Sequence, residues 1–466
     1  MINLRIWKPK TNLDKKGLRI AKLLQAKQFK AFWVGGVVRD ILLNKQSDNI
    51  DIATDARPDE IERILEKAKI KYVTIGKKFG TIMAISDQHL VEITTFRAEG
   101  KYSNKRHPDS VQFIKDYEED AKRRDFTINA LYFDPISKQL FDPTNGINDL
   151  KNKILKFIGD PKKRIDEDAL RLIRAVRLST QLGFRLEKNA FAAIKTRAKF
   201  INQISAERVK NELDKILLAK SKFQGFQLLD KIGLLQFIIP ETTALKTFYH
   251  KSKLYHLEGS IFDHTMLAVK NIKGPDLKLV YAAIFHDIGK PATAKKVLKD
   301  EGWVISTRGH ADVSAEIFRN FAIKYHFSKK NRMNIEWAVK NHMLMMVFTG
   351  LDIEQQLDYA LHSDFELLIN LWRVDSLSTL RVNRKDNVSL AEAGAYKRGK
   401  ALLKLLARKK IKVKKLLSAI EISKHTKIKS GPVFGKIKNE LEKKIYLGKI
   451  NRKKEAEKFL KSLDTF

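Results

Sequence analysis

Apolar and polar positions alternate over five short runs in the first hundred residues: Phe32 to Val34, Ile50 to Thr54, Lys71 to Ile75, Thr81 to Ile85 and Val91 to Phe96. Alternation with β-branched and aromatic residues predicts strands. A helix is predicted from Pro58 to Lys69, where Pro58 and Asp59 suit a first turn. From about residue 160 the apolar period lengthens to that of helices, punctuated by Asp160-Pro161 and Gly183. The order predicts an α+β chain with an α/β head followed by an all-helical remainder. The expected divisions are a helical extension over 1–30, a head over 31–155 and a helical neck over 156–245. A histidine-rich body over 246–390 and a basic helical tail over 391–466 follow.

The chain has 466 residues, of which 91 are Lys or Arg and 54 Asp or Glu, a net charge of +37. That excess suits a polyanionic partner, with RNA, DNA or an acidic membrane surface as candidates; a merely solvated basic surface is the plainer alternative. From Lys397 to Lys415 ten of nineteen residues are basic and none acidic, while Leu402, Leu403, Leu405 and Leu406 keep the segment amphipathic. Such a helix can lie on phosphates or face water. Cysteine is absent, which excludes disulfides and thiolate metal sites. The N-terminus carries no secretory pattern and no apolar run reaches the length of a membrane span, so a cytoplasmic protein without a membrane partner is expected.

Candidate chemistry begins at Val34-Gly35-Gly36-Val37-Val38-Arg39-Asp40, between a predicted strand and a helix. Two glycines let backbone amides approach a phosphate, and Arg39 adds a charge-assisted donor; an ordinary tight turn would read the same. Asp51 follows fifteen residues after Gly36. Strand alternation puts Asn49 and Asp51 on one face, with Glu92 on a nearby strand. Carboxylates so placed suit Mg2+ and in-line phosphoryl transfer, though exposed strand acids would look alike. Further on, His264, His286-Asp287 and Asp375 resemble the HD phosphohydrolase pattern, and His310 and His342 add candidate ligands or phosphate contacts. Neutral imidazoles with carboxylates suit a divalent metal that activates water.

The segments VGGVVRD, IDIAT, GKKFGTI, VEITTFR, EEDAKRRDFTINAL, DPTNGINDL and DEDALRLIRAVR occur in the order and spacing of class II tRNA nucleotidyltransferases and bacterial poly(A) polymerases. The chain resembles that family, and His286-Asp287 with its neighbours resembles the HD phosphohydrolases. The resemblance implies a polymerase-β-like head followed by neck, body and tail. It also implies Mg2+-dependent addition of C and A from CTP and ATP to the 3′ end of tRNA. Poly(A) synthesis, CC-only or A-only addition are alternatives, as is RNA binding with only the HD site active. By the same resemblance Arg124, Asp125 and Asn129 contact the incoming nucleotide, and Asp168 with Arg171 selects the base. Those two are expected three apart on one opening helix, where a carboxylate and a guanidinium can read an exocyclic amine and its ring neighbours. Arg174 and Arg177 continue the spacing of three toward phosphate or sugar. The family's first metal-site aspartate falls on Asn49, so either activity is weakened or Asp48 substitutes. Asp48 is the opposite-face neighbour unless a bulge re-aims it.

Overall fold

In this computed structural model the structure describes residues 2–3, 8–86, 89–100, 110–249, 258–299, 302–379, 394–426, 428 and 430–463. The chain forms two compact units, Met1–Ile238 and Ile239–Phe466.

The first unit opens with strand β1 (Ile2–Asn3), helix α1 (Asn12–Gln25), strand β2 (Ala31–Val34), helix α2 (Gly36–Leu42), strand β3 (Ile50–Thr54) and helix α3 (Pro58–Lys67). Then come β4 (Lys71–Val73), β5 (Thr81–Ser86), β6 (His89–Thr95), β7 (Arg97–Glu99), β8 (Val111–Phe113), α4 (Tyr117–Lys122), β9 (Tyr132–Phe133) and β10 (Gln139–Phe141). Eight of these strands form one sheet in the order β1-β10-β9-β2-β3-β6-β5-β4, while β7 and β8 pair separately. Only β3 and β6 of the large sheet run parallel, and their register sets Asp51 opposite Glu92. The other printed pairs of the sheet are antiparallel.

Alternation divides the strand side chains between two cores. Trp33, Ile50, Ile52, Val91 and Ile93 share one cluster with Ile20, Leu24, Ile61 and Leu65 of α1 and α3. Phe32, Val34, Ala53, Phe96 and Tyr132 form the other. Helix α1, in the stretch expected as a helical extension, packs against the sheet of the head. Thr11 and Asp14 form a capping box at the start of α1. At Gly17 a Cβ would stand 2.7 Å from the Ile50 side chain, so α1 lies directly on the sheet. The predicted strand ending at Ile75 stops at Val73, and Ile75 is 94% exposed.

Helices α5 (Gly146–Lys151), α6 (Pro161–Glu167), α7 (Arg171–Leu182), α8 (Lys188–Arg197), α9 (Ala206–Leu218) and α10 (Lys222–Lys231) complete most of this unit. Asp160 caps α6, Pro161 fills its first position, and Gly183 ends α7 at a φ of 71°.

In the second unit the helices Ile261–Asn271, Leu277–Phe285, His310–Lys324, Lys329–Lys340 and Phe365–Ser378 surround a core containing Phe285, Phe318 and Val280. A two-stranded ribbon pairs Lys295–Lys299 with Gly302–Ser306. The predicted basic tail segment lies in the helix Gly394–Leu416. Its Leu402 and Leu406 join Phe348, Phe365, Leu441 and Leu460 in one hydrophobic cluster, so the amphipathic face has a core to cover. The side chains of 409–415 lie outside the described residues. Among the described residues no helix is long and apolar enough to cross a membrane.

Candidate nucleotide cleft and metal centre

The turn between β2 and α2 is built on Gly35, whose φ of 73° and ψ of −134° exclude most side chains. A Cβ there would also lie 3.4 Å from the Asp51 carboxylate. This brings the glycine turn and the carboxylate strand together at one edge of a cavity of about 540 Å3. Gly35, Gly36, Asp51, Arg124, Asp125, Asn129, Asp168, Arg171 and Arg174 line it. A smaller adjoining recess holds Asp51 and Glu92 together with Arg97, Arg123 and Arg124.

Burial, and next the nearby Glu92 carboxylate, push Asp51 up to about 6. Two acids held close in a partly dry recess create a demand for positive charge. Asn49 precedes β3, and its amide donates to the Asp51 carboxylate at 3.1 Å, so its carbonyl oxygen remains available to a cation. Thr94 donates to Glu92 at 3.3 Å. Asp51, Glu92 and Asn49 thus present oxygen donors that fit a hard divalent cation. Asp48 and Asn49 are both exposed and line neither recess, and Asn49 reaches the site through its bond to Asp51.

A chain of charged bonds ties the glycine turn to the neck. Arg39 donates to Asp40 at 2.8 Å and to Asn129 at 2.9 Å. Asn129 donates to Asp125 at 3.2 Å, and Arg174 donates twice to the same carboxylate, at 3.1 and 2.6 Å. Burial alone would raise Asp125, but Arg174 and its other partners hold it at about 2. Arg124 lies over the Tyr132 ring and donates to the Tyr132 hydroxyl at 2.9 Å and to Asp120 at 3.1 Å.

Three expectations for the neck need correction. Glu167-Asp168-Ala169-Leu170-Arg171 does not open a single helix: α6 ends at Glu167 and α7 begins at Arg171. Asp168 sits in the break, accepting the Leu170 amide at 3.1 Å and facing Arg208 at 3.5 Å. Arg171 is turned inward to Glu167 at 2.7 Å and to the carbonyls of Arg164 and Arg123 at 2.6 and 3.3 Å. Both still line the cavity, and a turn in which the Arg171 amide donates to the Asp168 carbonyl at 3.1 Å keeps them adjacent. Arg177 is absent from the lining and bonds Glu212 at 2.5 Å and Gln181 at 3.0 Å. The lining residues Arg97, Arg123 and Arg208 were not singled out from the sequence. Arg123, beside Arg124 in the quoted motif, carried the clearest signal.

The second unit brings all the expected histidines together. His264, His286 and Asp375 form one group of donor atoms lying within 4.8 Å of one another, and Asp287, His310 and His342 form another. Each ring has its Nδ1 satisfied: His264 by Glu258 at 2.8 Å, and His286, His310 and His342 by the carbonyls of Ala283, Thr307 and Val339 at 2.9, 2.9 and 2.7 Å. A proton on Nδ1 leaves Nε2 as a lone pair. His264 Nε2 meets the Asp375 carboxylate at 2.9 Å, a contact that favours a proton on that ring, and the Nε2 atoms of His310 and His342 meet at 3.1 Å. His286 Nε2 is buried without a hydrogen-bond partner. Asp287 turns one oxygen to His310 at 3.3 Å and the other to His286 at 3.4 Å, between the two groups. Lys290 donates to that second oxygen at 2.6 Å. Burial opposes a charge on His286, yet Asp287 and Asp375 push it up to about 10. A donor set that converges so many acceptors fits one or more divalent cations. Glu258 went unrecognised in the sequence, where nothing sets apart an acid six residues before His264.

The fold and the cleft together define a mixed α/β head with a glycine turn facing a carboxylate strand, followed by a helical unit with a metal-suited histidine cluster. Residues 31–156 match the poly A polymerase head domain, 183–246 the probable RNA and SrmB-binding site of polymerase A, and 256–364 the HD domain. The chain thus matches a polymerase head, an RNA-binding part and an HD domain, in the order the sequence motifs implied. Its curated relatives include CCA-adding enzymes. That of Lactobacillus helveticus is 41% identical over 213 residues, which are 46% of this chain and 52% of that enzyme. That of Staphylococcus epidermidis is 34% identical over 278 residues, 59% of this chain and 66% of that enzyme. The chain spans about half the length of the first curated relatives it matches. The Bacillus stearothermophilus CCA-adding enzyme in complex with CTP has the same fold, with a TM-score of 0.65, 22% identity and 98% of each chain covered. The Thermotoga maritima CCA-adding enzyme complexed with tRNA matches with a TM-score of 0.57 and 18% identity, over 99% of this chain and 98% of that one.

Proposed function

We propose that the chain adds C and A nucleotides to the 3′ end of tRNA, using CTP and ATP with Mg2+, without a nucleic-acid template. The observation that carries this reading is the cavity in which the glycine turn, Asp51, Asp168 and Arg171 converge, with Glu92 beside Asp51 in the adjoining recess. Curated relatives that are CCA-adding enzymes support it.

In this reading the RNA 3′-OH attacks the α-phosphorus of the triphosphate, its proton leaves to solvent or a nearby base, and the bond to pyrophosphate breaks. Asp51 and Glu92, with the Asn49 carbonyl, would hold Mg2+, whose charge polarises the phosphates and acidifies the hydroxyl. The Gly35-Gly36 turn offers amides to the triphosphate, as helix N-termini do to anions. Arg174 stays fixed on Asp125, and Asp125 on Asn129, so the nucleotide-facing wall is rigid before substrate arrives. Asp168 accepts from an exocyclic amine, which cytosine and adenine possess and uracil lacks. Arg171 must leave Glu167 to donate to the base, so base selection includes a side-chain exchange. The place of action is the cytoplasm, where tRNA and nucleoside triphosphates occur together.

The test is incubation with tRNA lacking its 3′ terminus and labelled CTP or ATP. Label retained in tRNA supports the reading, whereas RNA binding without extension contradicts it. Long A tails would support poly(A) synthesis, and arrest after C or after A would mark partial addition. A second reading, a metal-dependent phosphohydrolase in the HD unit, is favoured by the buried His286 nitrogen and the facing lone pairs of His310 and His342. Phosphate release from an RNA bearing a terminal cyclic phosphate, dependent on added metal and lost in Asp287→Ala, tests that activity.

A further inference from the structure

Away from both sites, the second unit contains a cavity of about 730 Å3 lined by Lys329, Lys330, Met333, Trp337 and Lys340 of one helix and by His362, Ser363 and Asp364 of a turn. Its volume falls in the range of pockets that enclose a small organic ligand. The Trp337 indole and the His362 imidazole stack face to face, with ring centroids 3.7 Å apart and planes 7° from parallel. Trp337 packs against the hydrophobic cluster of Phe348 and Phe365 and so anchors the stack. The Asp364 amide donates to His362 Nδ1 at 3.2 Å, which fixes the Nε2–H tautomer and a neutral ring. The His362 side chain is 37% exposed, so part of the stack is open to solvent.

Charge brackets this aromatic step. Lys329 and Lys330 occupy the first turn of the twelve-residue helix, where the backbone dipole also favours anions, and among the described residues no ion pair is recorded for either. Of the two acids at the cavity, Glu336 is engaged by Arg319 at 2.5 Å, and Asp364 accepts from Ser363 at 3.0 Å. Cations and a planar stack among the lining residues are complementary to one unpaired nucleotide and its flanking phosphates. A peptide would gain nothing from the parallel rings that any apolar floor could not give.

We propose that this cavity holds an unpaired nucleotide of the RNA bound by the protein, its base stacked on His362 and its phosphates on Lys329 and Lys330. The proposal rests on the reading of the chain as an RNA-handling enzyme and adds a contact within the second unit. The test measures affinity of the full chain for tRNA lacking its 3′ terminus, together with the salt dependence of that affinity. The exposed-residue variants are His362→Ala and Lys329→Glu with Lys330→Glu. Loss of one stacking step predicts about tenfold weaker binding for His362→Ala with an unchanged salt slope. The lysine pair should lower the slope of log K against log salt by roughly 1.5 to 2 as two phosphate contacts disappear. CTP affinity should not move in either variant. Unchanged tRNA affinity in both folded variants would overturn the proposal, as would AMP binding tightly enough at His362 to displace the RNA. If the wild type extends tRNA while both variants bind like wild type, this inference fails and the polymerase reading stands. If the variants weaken RNA binding but the wild type adds no nucleotide, the reverse holds.

Discussion

Asp51 makes a prediction in which stability and activity move in opposite directions. In the folded head its carboxyl is pushed from the ordinary 3.8 to about 6, by burial and next by Glu92. An acid whose folded value is raised stabilises the fold only when protonated. The penalty for ionising it is absent below pH 3.8, develops between 3.8 and 6, and is complete above 6. Two units at about 1.36 kcal/mol each give roughly 3 kcal/mol as an upper bound at pH 8. Asn at this position keeps the shape and removes the charge, but its amide must still be desolvated. Asp51→Asn should therefore stabilise the first unit by about 1–2 kcal/mol at pH 8, and by almost nothing at pH 4. The measurement is denaturant unfolding of both proteins in EDTA, followed by far-UV dichroism at the two pH values. Adding Mg2+ should raise the wild type toward the variant and leave the variant unchanged, because only the wild type gains a counter-charge on its carboxylate. Nucleotide addition by the variant should fall by roughly a thousandfold. A variant no more stable than wild type at pH 8, or equally stabilised at both pH values, would refute this electrostatic account.

Other substitutions follow the same logic. Asn49→Asp adds a carboxylate beside Asp51 and should lower the Mg2+ concentration for half-maximal addition by about tenfold, worth ~1.4 kcal/mol; an unchanged Mg2+ titration would contradict the assignment of Asn49. Gly35→Ala meets both a φ of 73° and the Asp51 carboxylate, and should cost about 1–2 kcal/mol of stability with a loss of turnover, read by thermal melting and an initial-rate assay. Asp287→Ala should abolish metal retention in the HD unit, measured by plasma mass spectrometry after dialysis, while C addition by the head persists. In the wild type a metal must displace the proton held on His286, whose affinity for it is pushed up to about 10, so metal affinity should rise by about tenfold per pH unit between 7 and 9; calorimetry showing no proton release would contradict this.

Much of the head was legible because its strands alternate and its helices cap locally. Ile50 and Ile52 face one core while Asp51 faces the cleft, a pattern that period two alone specifies. What local pattern could not supply was the partner. The position of α1 on the sheet depends on Gly17 meeting Ile50 and Trp33, thirty-three and sixteen residues away, and no property of the helix announces it. Helical spacing grouped Arg177 with Arg171 and Arg174, but Glu212 on α9 claims it. The break between Glu167 and Arg171 has neither proline nor glycine, so continuity was the natural reading. The HD residues were found through their local motif, although His264 and Asp375 meet across 111 positions. Their Nδ1 bonds, which fix what the rings present to a cation, exist only in the fold.

The account depends most on the cleft that joins Asp51 to the glycine turn. Its direct test is transfer of label from [α-32P]CTP to tRNA lacking its 3′ terminus, with the wild type and Asp51→Asn side by side at pH 8 in Mg2+. The account requires C incorporation by the wild type and a near-complete loss in the variant. Equal incorporation by both proteins, or none by a wild type that binds the tRNA, would contradict it.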